Sequence, residues 1–245
     1  MKVALAVNPV GTDRKKNLAN ILRLAEEAIY GRARLVLFPE AALTGLVNND
    51  DPKQDLSLGV TAHGRVFREL YKLCSRELLW LGIGFLEKSR GKLYDSAVLI
   101  NPRGHIALKY RRITPGWHGK EADPSFYCHG DDVPVAETPF GRAGFLICGD
   151  LFDDDVVARL REKRPQVVLF PFARSFEDGK QDTERWESEK WAYVERVKML
   201  GATTLMVNYL SEIDGCFGGA MIVSPEGRIL EELLAGASGI LFGEI

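Results

Sequence analysis

Three residues of reactive type end three apolar segments of the chain. Cys148 closes the run Ala143-Gly-Phe-Leu-Ile-Cys, and Gly149 follows at once. Leu35-Val-Leu-Phe-Pro-Glu40 ends on a carboxylate, and Ile106-Ala-Leu-Lys109 ends on an ammonium group. A thiol that has a base and a cation beside it can attack a carbonyl carbon. These residue types predict covalent catalysis at Cys148, although a free cysteine is more commonly a small buried hydrophobic side chain.

The order of these segments resembles the catalytic signature of the nitrilase superfamily, the carbon–nitrogen hydrolases. Phe38-Pro-Glu40-Ala-Ala-Leu-Thr-Gly45 is similar to the glutamate motif of that family, and Lys109-Tyr-Arg-Arg112 is similar to its lysine motif. The N-terminal run, residues 2–8, resembles the family's first strand, and residues 218–227 resemble its late strand-and-turn signature. Each match is weak alone, but four in the right order over nearly the whole chain make a strong signal.

The elements that must position these residues alternate between strand-like and helix-like, which favours an α/β fold. Residues 61–77 have the apolar spacing of a helix, and residues 80–108 that of strands separated by turns. Residues 167–171 echo residues 35–39, either as an internal repeat or as two parallel strands buried on both faces. The resemblance implies a four-layer α-β-β-α sandwich. No Pro/Gly/Ser-rich linker divides the sequence, so we expect one domain over residues 1–245.

The resemblance also implies roles for the reactive residues. Glu40 would act as the base, Cys148 as the nucleophile that forms a thioester, and Lys109 as the cation that binds the oxyanion. The backbone N–H of Gly149 is expected to be the second oxyanion donor, because it follows the nucleophile at the turn. Glu121 is expected as a further acid/base group, with a solvated loop carboxylate as the alternative. The scheme needs no metal and no organic cofactor.

The substrate is expected to be a small linear amide or carbamoyl compound. Many family members have Trp or Tyr directly after the nucleophile, and true nitrilases an aromatic residue and then Glu; Cys148-Gly-Asp therefore disfavours nitrile hydrolysis. The residues after Phe170-Pro171 line the substrate pocket in the family, so Phe172, Ala173 and Arg174 are candidates for substrate binding. Arg174 could grip a carboxylate, or it could form a surface salt bridge. An acyl transferase and a non-catalytic or partner-dependent, glutaminase-like binding subunit remain as alternatives.

Composition limits the partners and the setting. The formal net charge of −2 and the lack of a basic run argue against nucleic acid as a partner, and no apolar stretch approaches the length of a membrane span. The four cysteines show neither metal-binding spacing nor a disulfide framework, so we expect reducing cytoplasm as the location. The resemblance implies a homo-oligomer, a dimer or higher, although the tail that usually mediates assembly is missing after the last strand.

Overall fold

The computed structural model describes residues 1–176 and 183–245, and twelve strands and five helices run through them. The strands are β1 (Lys2–Val7), β2 (Leu35–Leu37), β3 (Trp80–Ser89), β4 (Lys92–Ile100), β5 (Ile106–Arg111), β6 (Val135–Thr138), β7 (Gly141–Phe145), β8 (Val167–Phe172), β9 (Thr203–Asn208), β10 (Ala220–Val223), β11 (Ile229–Leu233) and β12 (Gly239–Glu244). The helices are α1 (Arg14–Tyr30), α2 (Pro52–Leu58), α3 (Arg65–Glu77), α4 (Asp154–Glu162) and α5 (Thr183–Leu200).

The strands form two six-stranded sheets of matching topology. The first has the order β12-β1-β2-β3-β4-β5 and the second the order β11-β10-β9-β8-β7-β6. In each sheet three neighbouring strands are parallel: β1, β2 and β3 in the first, and β7, β8 and β9 in the second. The carboxyl ends of parallel strands meet at one edge, so residues that follow β2, β7 and β8 can be brought together there.

The sheets pack face to face, with helices on their outer faces. Leu35 and Leu37 of β2 belong to the core between the sheets, whereas Val36 packs in a second core beneath α1 and α3. On the other side, α4 and α5 contribute Val156, Val194 and Val197 to the core of the second sheet. Because successive side chains of a strand point to opposite faces, the buried strands are apolar on both sides. This arrangement confirms the predicted α/β sandwich.

Most predicted elements are present, with differences at their ends. Asp13 caps α1 as its sequence position indicates, and its side chain accepts from the N–H groups of Lys15 and Lys16. The helix predicted at 61–77 begins at Arg65, and the short helix α2 was not predicted. The echo between residues 35–39 and 167–171 has a structural counterpart, since β2 and β8 are each the central strand of three parallel strands.

One prediction about a strand end was wrong, and it matters for the site. Strand β5 does not end at Lys109 but continues to Arg111, and the N–H of Arg112 still donates to the carbonyl of Asp95. Among residues 1–176 and 183–245, none of the helices combines the length and the apolar character of a membrane span.

Candidate active site

Glu40 is fixed in the turn that follows β2. The backbone pairing with β3 continues past the strand, because the N–H of Phe38 donates to Gly82 and that of Gly84 donates to Pro39. A Cβ atom at Gly84 would lie 2.6 Å from the Cα of Glu40, so this close approach requires glycine. Ala41 has a φ of 46°, a left-handed conformation that is uncommon for a residue with a side chain. The turn leaves the Glu40 side chain wholly buried.

Cys148 begins a 3₁₀ turn, Cys148–Phe152, shortly after β7. Its φ of 46° is also left-handed, and such strain persists only where the surroundings impose it. Asp150 supplies that constraint, because its carboxylate accepts from the N–H groups of Ile147 and Thr114 and from the hydroxyl of Tyr110. Cys148 is therefore held at a tight, internally bonded turn, as the sequence suggests.

The cation predicted from the sequence does not lie beside these residues. The ammonium group of Lys109 forms an ion pair with Glu87, and Arg111 donates to the same carboxylate at 2.8 and 3.0 Å. Lys109 pairs in register with Val98, which packs in the core beneath the helices and not between the sheets. The structure therefore corrects the expectation for Lys109: it lies on the outer face of β5, away from Glu40.

Arg112 is the basic residue that contacts Glu40. It lies two residues after Tyr110, which faces the core between the sheets, and its Nη1 donates to Glu40 Oε1 at 2.9 Å. Nε donates to Thr114 Oγ1 and Nη2 to the carbonyl of Pro115. Burial alone would lower the pKa of Arg112, but its electrostatic interactions with Cys148, Glu40 and Asp95 raise it above its usual value. The guanidinium is therefore a permanent, buried cation.

Gly149 leaves room for this guanidinium. A Cβ atom at position 149 would lie 2.8 Å from Arg112 Nη2 and 2.9 Å from Thr114 Oγ1, closer than such atoms pack. The sequence departs from the family at this position, where many members have Trp or Tyr. The departure has a physical reason, because a side chain here and the guanidinium of Arg112 would compete for the same space.

A second buried carboxyl group lies beside Glu40. Asp95, on β4, is 1% exposed, and its Oδ2 lies 3.7 Å from Arg112 Nη1. Burial, followed by the charge and the hydrogen bond of Glu40, raises the pKa of Asp95 well above its usual value. Glu121, which was expected to be the further acid/base group, lies exposed on the loop after β5.

The thiol of Cys148 is protonated at neutral pH. Burial and the nearby charge of Glu40 raise its pKa to about 12, although Arg112 and a hydrogen bond from the N–H of Ala173 act in the opposite direction. A thiol in this state is a poor nucleophile until a base removes its proton. The charge of the Glu40 carboxylate acts on the thiol, so Glu40 is close enough to be the candidate base.

A cavity of about 370 Å³ approaches Cys148 through Ala173, whose backbone interacts with the thiol. Glu40, Arg112 and Cys148 are not among its described lining residues. The other lining residues come from loops that follow β2, β5, β8 and β9, namely Leu46, Asn48, Asn49, Asp50, Gly116, Trp117, His118, Gly119, Ser175, Tyr209, Asp214 and Cys216. The cavity thus lies where the strand ends converge, which is the usual place for a ligand in such sheets.

The three residues predicted to bind substrate have different surroundings. Ala173 lines the cavity. Phe172 is buried in an aromatic cluster with Phe170 and Trp186 and contributes to the core. The guanidinium of Arg174 binds both oxygens of Glu189, at 2.6 and 2.8 Å, so its fork is already occupied by a carboxylate. For Arg174 the salt-bridge alternative is the one observed.

The sequence does contain a signal for Arg112. Leu108 and Tyr110 alternate with Lys109 and Arg111. If this alternation continues to Arg112, Arg112 lies on the apolar face and Lys109 on the other. The signal was missed because the strand was ended at the first basic residue. No equivalent signal marks Asp95, which looks like one polar residue in an alternating strand.

Comparison with known proteins identifies the class that this fold and site define. The carbon–nitrogen hydrolase family model matches residues 2–245, and the chain belongs to that family, the nitrilase superfamily. An amidase structure from Nesterenkonia sp. AN1 superposes with a TM-score of 0.82 at 22% identity, covering 100% of this chain and 92% of that one. A variant of the same amidase carries acrylamide added at its active-site cysteine.

Two curated relatives show how far the similarity extends. An (R)-stereoselective amidase from Pseudomonas sp. is 28% identical over 223 residues, which are 90% of this chain and 76% of that protein. The nitrilase and fragile histidine triad fusion protein NitFhit of Drosophila melanogaster is 24% identical over 229 residues. The chain spans about half the length of that fusion protein, since the match covers 48% of it.

Proposed function

We propose that this enzyme is a cysteine amidase that hydrolyses a small linear amide or carbamoyl compound through a thioester on Cys148. The observation that carries the proposal is the convergence of Glu40, Arg112 and Cys148: Arg112 binds Glu40 at 2.9 Å, and the charges of both act on the thiol. The names of the amidase relatives agree with it. Arg112 takes the role that the sequence assigned to Lys109, so the reacting set is Glu40, Arg112 and Cys148.

The first half of the reaction forms the acyl-enzyme. Glu40 takes the proton of the Cys148 thiol, and the sulfur attacks the carbonyl carbon of the amide. The oxyanion that develops accepts hydrogen bonds from the N–H of Gly149 and from the guanidinium of Arg112. When the tetrahedral intermediate collapses, the C–N bond breaks and protonated Glu40 gives its proton to the departing amine.

The second half releases the acid and restores the enzyme. Glu40 takes a proton from a water molecule, and the resulting hydroxide attacks the thioester carbonyl. The C–S bond breaks, the proton returns to the sulfur of Cys148, and the carboxylic acid leaves. Arg112 stays charged throughout because its pKa is raised, so it stabilises negative charge but transfers no proton.

The wall of the cavity favours a substrate whose far end is neutral or positively charged. Its described part contains the carboxylates of Asp50 and Asp214, and no lysine or arginine lies among the described lining residues. Arg174, the candidate for holding a substrate carboxylate, is instead paired with Glu189. An amide that also carries an amine is therefore a better fit than one that carries a carboxylate.

Ammonia release from a panel of amides tests the proposal. The panel contains ω-amides, carbamoyl amines, simple aliphatic amides, glutamine and nitriles, and it is run beside Cys148→Ala and Cys128→Ala. We expect turnover of one amide or carbamoyl class, an acyl adduct on Cys148 by intact mass, and loss of both in Cys148→Ala alone. Silence across the panel with no adduct would overturn the amidase assignment. An adduct that is released only when an amine is added would indicate acyl transfer.

Assembly and location are also proposals. A homo-oligomer is supported by apolar side chains exposed on and beside α5, with Trp191 55% and Met199 52% exposed, and light scattering of the purified chain tests it. A reducing, cytoplasmic location is supported by Cys74, Cys128 and Cys148, none of which is in a disulfide. Fractionation of cells that express the chain tests the location.

A further inference from the structure

Asp95 is a buried acid for which the reaction scheme above has no use. It is 1% exposed, and neither of its carboxyl oxygens accepts a hydrogen bond. Oε2 of Glu40 is buried and unpartnered in the same way. Buried polar atoms without partners are rare in proteins, so three of them on two neighbouring carboxyl groups need an explanation.

The charges around Asp95 explain these unpartnered oxygens. Arg112 is the cation of the cluster, and it binds Glu40 at 2.9 Å but lies 3.7 Å from Asp95. Asp150, the next carboxylate, accepts five hydrogen bonds and so has its own donors. Tyr110 donates its hydroxyl proton to Asp150 and supplies no charge. One guanidinium therefore faces two further carboxyl groups, which cannot both be ionised at low cost in a buried site.

A shared proton accounts for the excess of negative charge and for Glu40 Oε2, and it leaves Oδ2 of Asp95 facing Arg112 Nη1 at 3.7 Å. We propose that Asp95 is a positioning residue for the Glu40 base: its carboxylic acid O–H donates to Glu40 Oε2, while Arg112 binds Oε1. This inference rests on the proposed role of Glu40. The raised pKa of Asp95 agrees with it, since the hydrogen bond to Glu40 is one of its causes. Glu40 is thereby held by two donors, one on each oxygen of its carboxylate.

The arrangement has a consequence for the chemistry. A carboxylate that accepts hydrogen bonds is favoured in its charged form, so loss of the Asp95 donor disfavours the form of Glu40 that takes the thiol proton. The burial that makes the thiol hard to ionise also makes an unsupported carboxylate hard to ionise. Asp95 thus keeps the base active at lower pH than Arg112 alone would.

The test compares Asp95→Asn and Asp95→Ala with the wild type. The amide N–H₂ of Asn can replace the acid O–H as a donor to Glu40, whereas Ala supplies no donor. The readout is the rate of alkylation of Cys148 by iodoacetamide between about pH 4 and pH 9, followed by peptide mass. This reaction needs no amide turnover, so it reports on Asp95 even if the amidase assignment fails.

We expect Asp95→Asn to keep the wild-type pH profile and Asp95→Ala to lose reactivity on the acidic side. The acidic limb of Asp95→Ala should move up by about one pH unit or more, equivalent to about tenfold in rate at a fixed acidic pH. Two results would overturn the inference. A limb that moves down in Asp95→Asn would mean that Asp95 is ionised, and unchanged profiles in both variants would mean a structural role only.

Infrared spectroscopy gives a second readout that does not depend on Asp95→Ala folding. The wild type at neutral pH should show the carbonyl stretch of a buried, protonated carboxylic acid, and Asp95→Asn should lack it. An identical spectrum in the two proteins would contradict the shared proton. With an active amide in hand, kcat/KM against pH should show the same order of the three proteins as the alkylation.

Discussion

Two ion clusters lie on opposite faces of the segment formed by strand β5 and Arg112, and their charges are balanced in opposite ways. On the outer face, Lys109 and Arg111 both bind the single carboxylate of Glu87. On the inner face, the single guanidinium of Arg112 meets Glu40 and Asp95. The outer cluster has an excess of positive charge near solvent. The inner cluster has an excess of negative charge in a buried site, where one proton must compensate for the missing cation.

The difference in burial determines which cluster can do chemistry. The outer cations are about one third exposed, with Lys109 at 36% and Arg111 at 27%, so water screens them. The inner cation is 5% exposed, which makes its field strong and its position fixed. An oxyanion that forms beside Arg112 is stabilised by a preorganised charge that water does not screen. The same residue types therefore have different surroundings on the two faces, and the proposed reactivity belongs to the buried one.

The largest effect is expected when the inner cluster loses its cation. Arg112→Met removes the charge that binds Glu40, and we expect kcat/KM on the amide found to fall by about 100-fold or more. Lys109→Met, the matched change on the outer face, should cost less than about threefold, because Arg111 still binds Glu87. Steady-state kinetics with thermal unfolding as a folding control measures both. An equal loss in Lys109→Met would restore Lys109 as the reacting cation.

A smaller effect is expected from filling the space beside the inner cation. Gly149→Ala puts a methyl group 2.8 Å from Arg112 Nη2, so the guanidinium must move, and we expect about a tenfold loss of kcat/KM. In an Arg112→Lys background the slimmer side chain leaves room, and the added cost of Gly149→Ala should be smaller. Gly11→Ala is the control, since nothing lies within 4 Å of the added atom.

A double-mutant cycle on kcat/KM measures this coupling. We expect a coupling energy of about 1 kcal/mol between positions 112 and 149, because the two side chains compete for one space. Strict additivity of the two substitutions would contradict the steric argument.

The smallest effect is expected in the dependence of stability on pH, where the two clusters should differ in sign. Burial alone would raise the pKa of Glu87, but hydrogen bonds from Arg111 and Lys109 lower it below 4.5. The contribution of Glu87 to the free energy of unfolding is therefore lost as pH falls. The pKa of Asp95 is raised above 3.8, mainly by burial. The contribution of Asp95 to the free energy of unfolding is therefore complete at low pH and is lost as pH rises.

Urea unfolding between about pH 3 and pH 7 tests these signs. The free energy of unfolding of the wild type minus that of Glu87→Gln should fall toward low pH. The wild type minus Asp95→Asn should fall toward high pH, each by an amount on the order of 1 kcal/mol. Slopes of equal sign would mean that the two carboxyl groups are in the same protonation state.

Much of the site could be predicted from the sequence because it depends on local pattern. Apolar runs that end on Glu40 and Cys148 mark strand ends, and neighbouring strand ends converge at one edge of a sheet. The turn glycine after Cys148 was also recognised, but only for its backbone N–H. In the structure its reason is the space that Arg112 needs. A steric partner 37 residues away in the chain cannot be read from the turn itself.

The sequence by itself determined the family, the α/β architecture, and the positions of Glu40 and Cys148 at their turns, because alternation and motif order suffice for these. Only the tertiary structure decided which basic residue faces Glu40. Lys109 and Arg112 are three positions apart on one extended segment, so they point to opposite faces, and the choice depends on which face Glu87 and Glu40 occupy. It also revealed Asp95, because burial beside a second carboxyl group is a property of packing and not of local pattern.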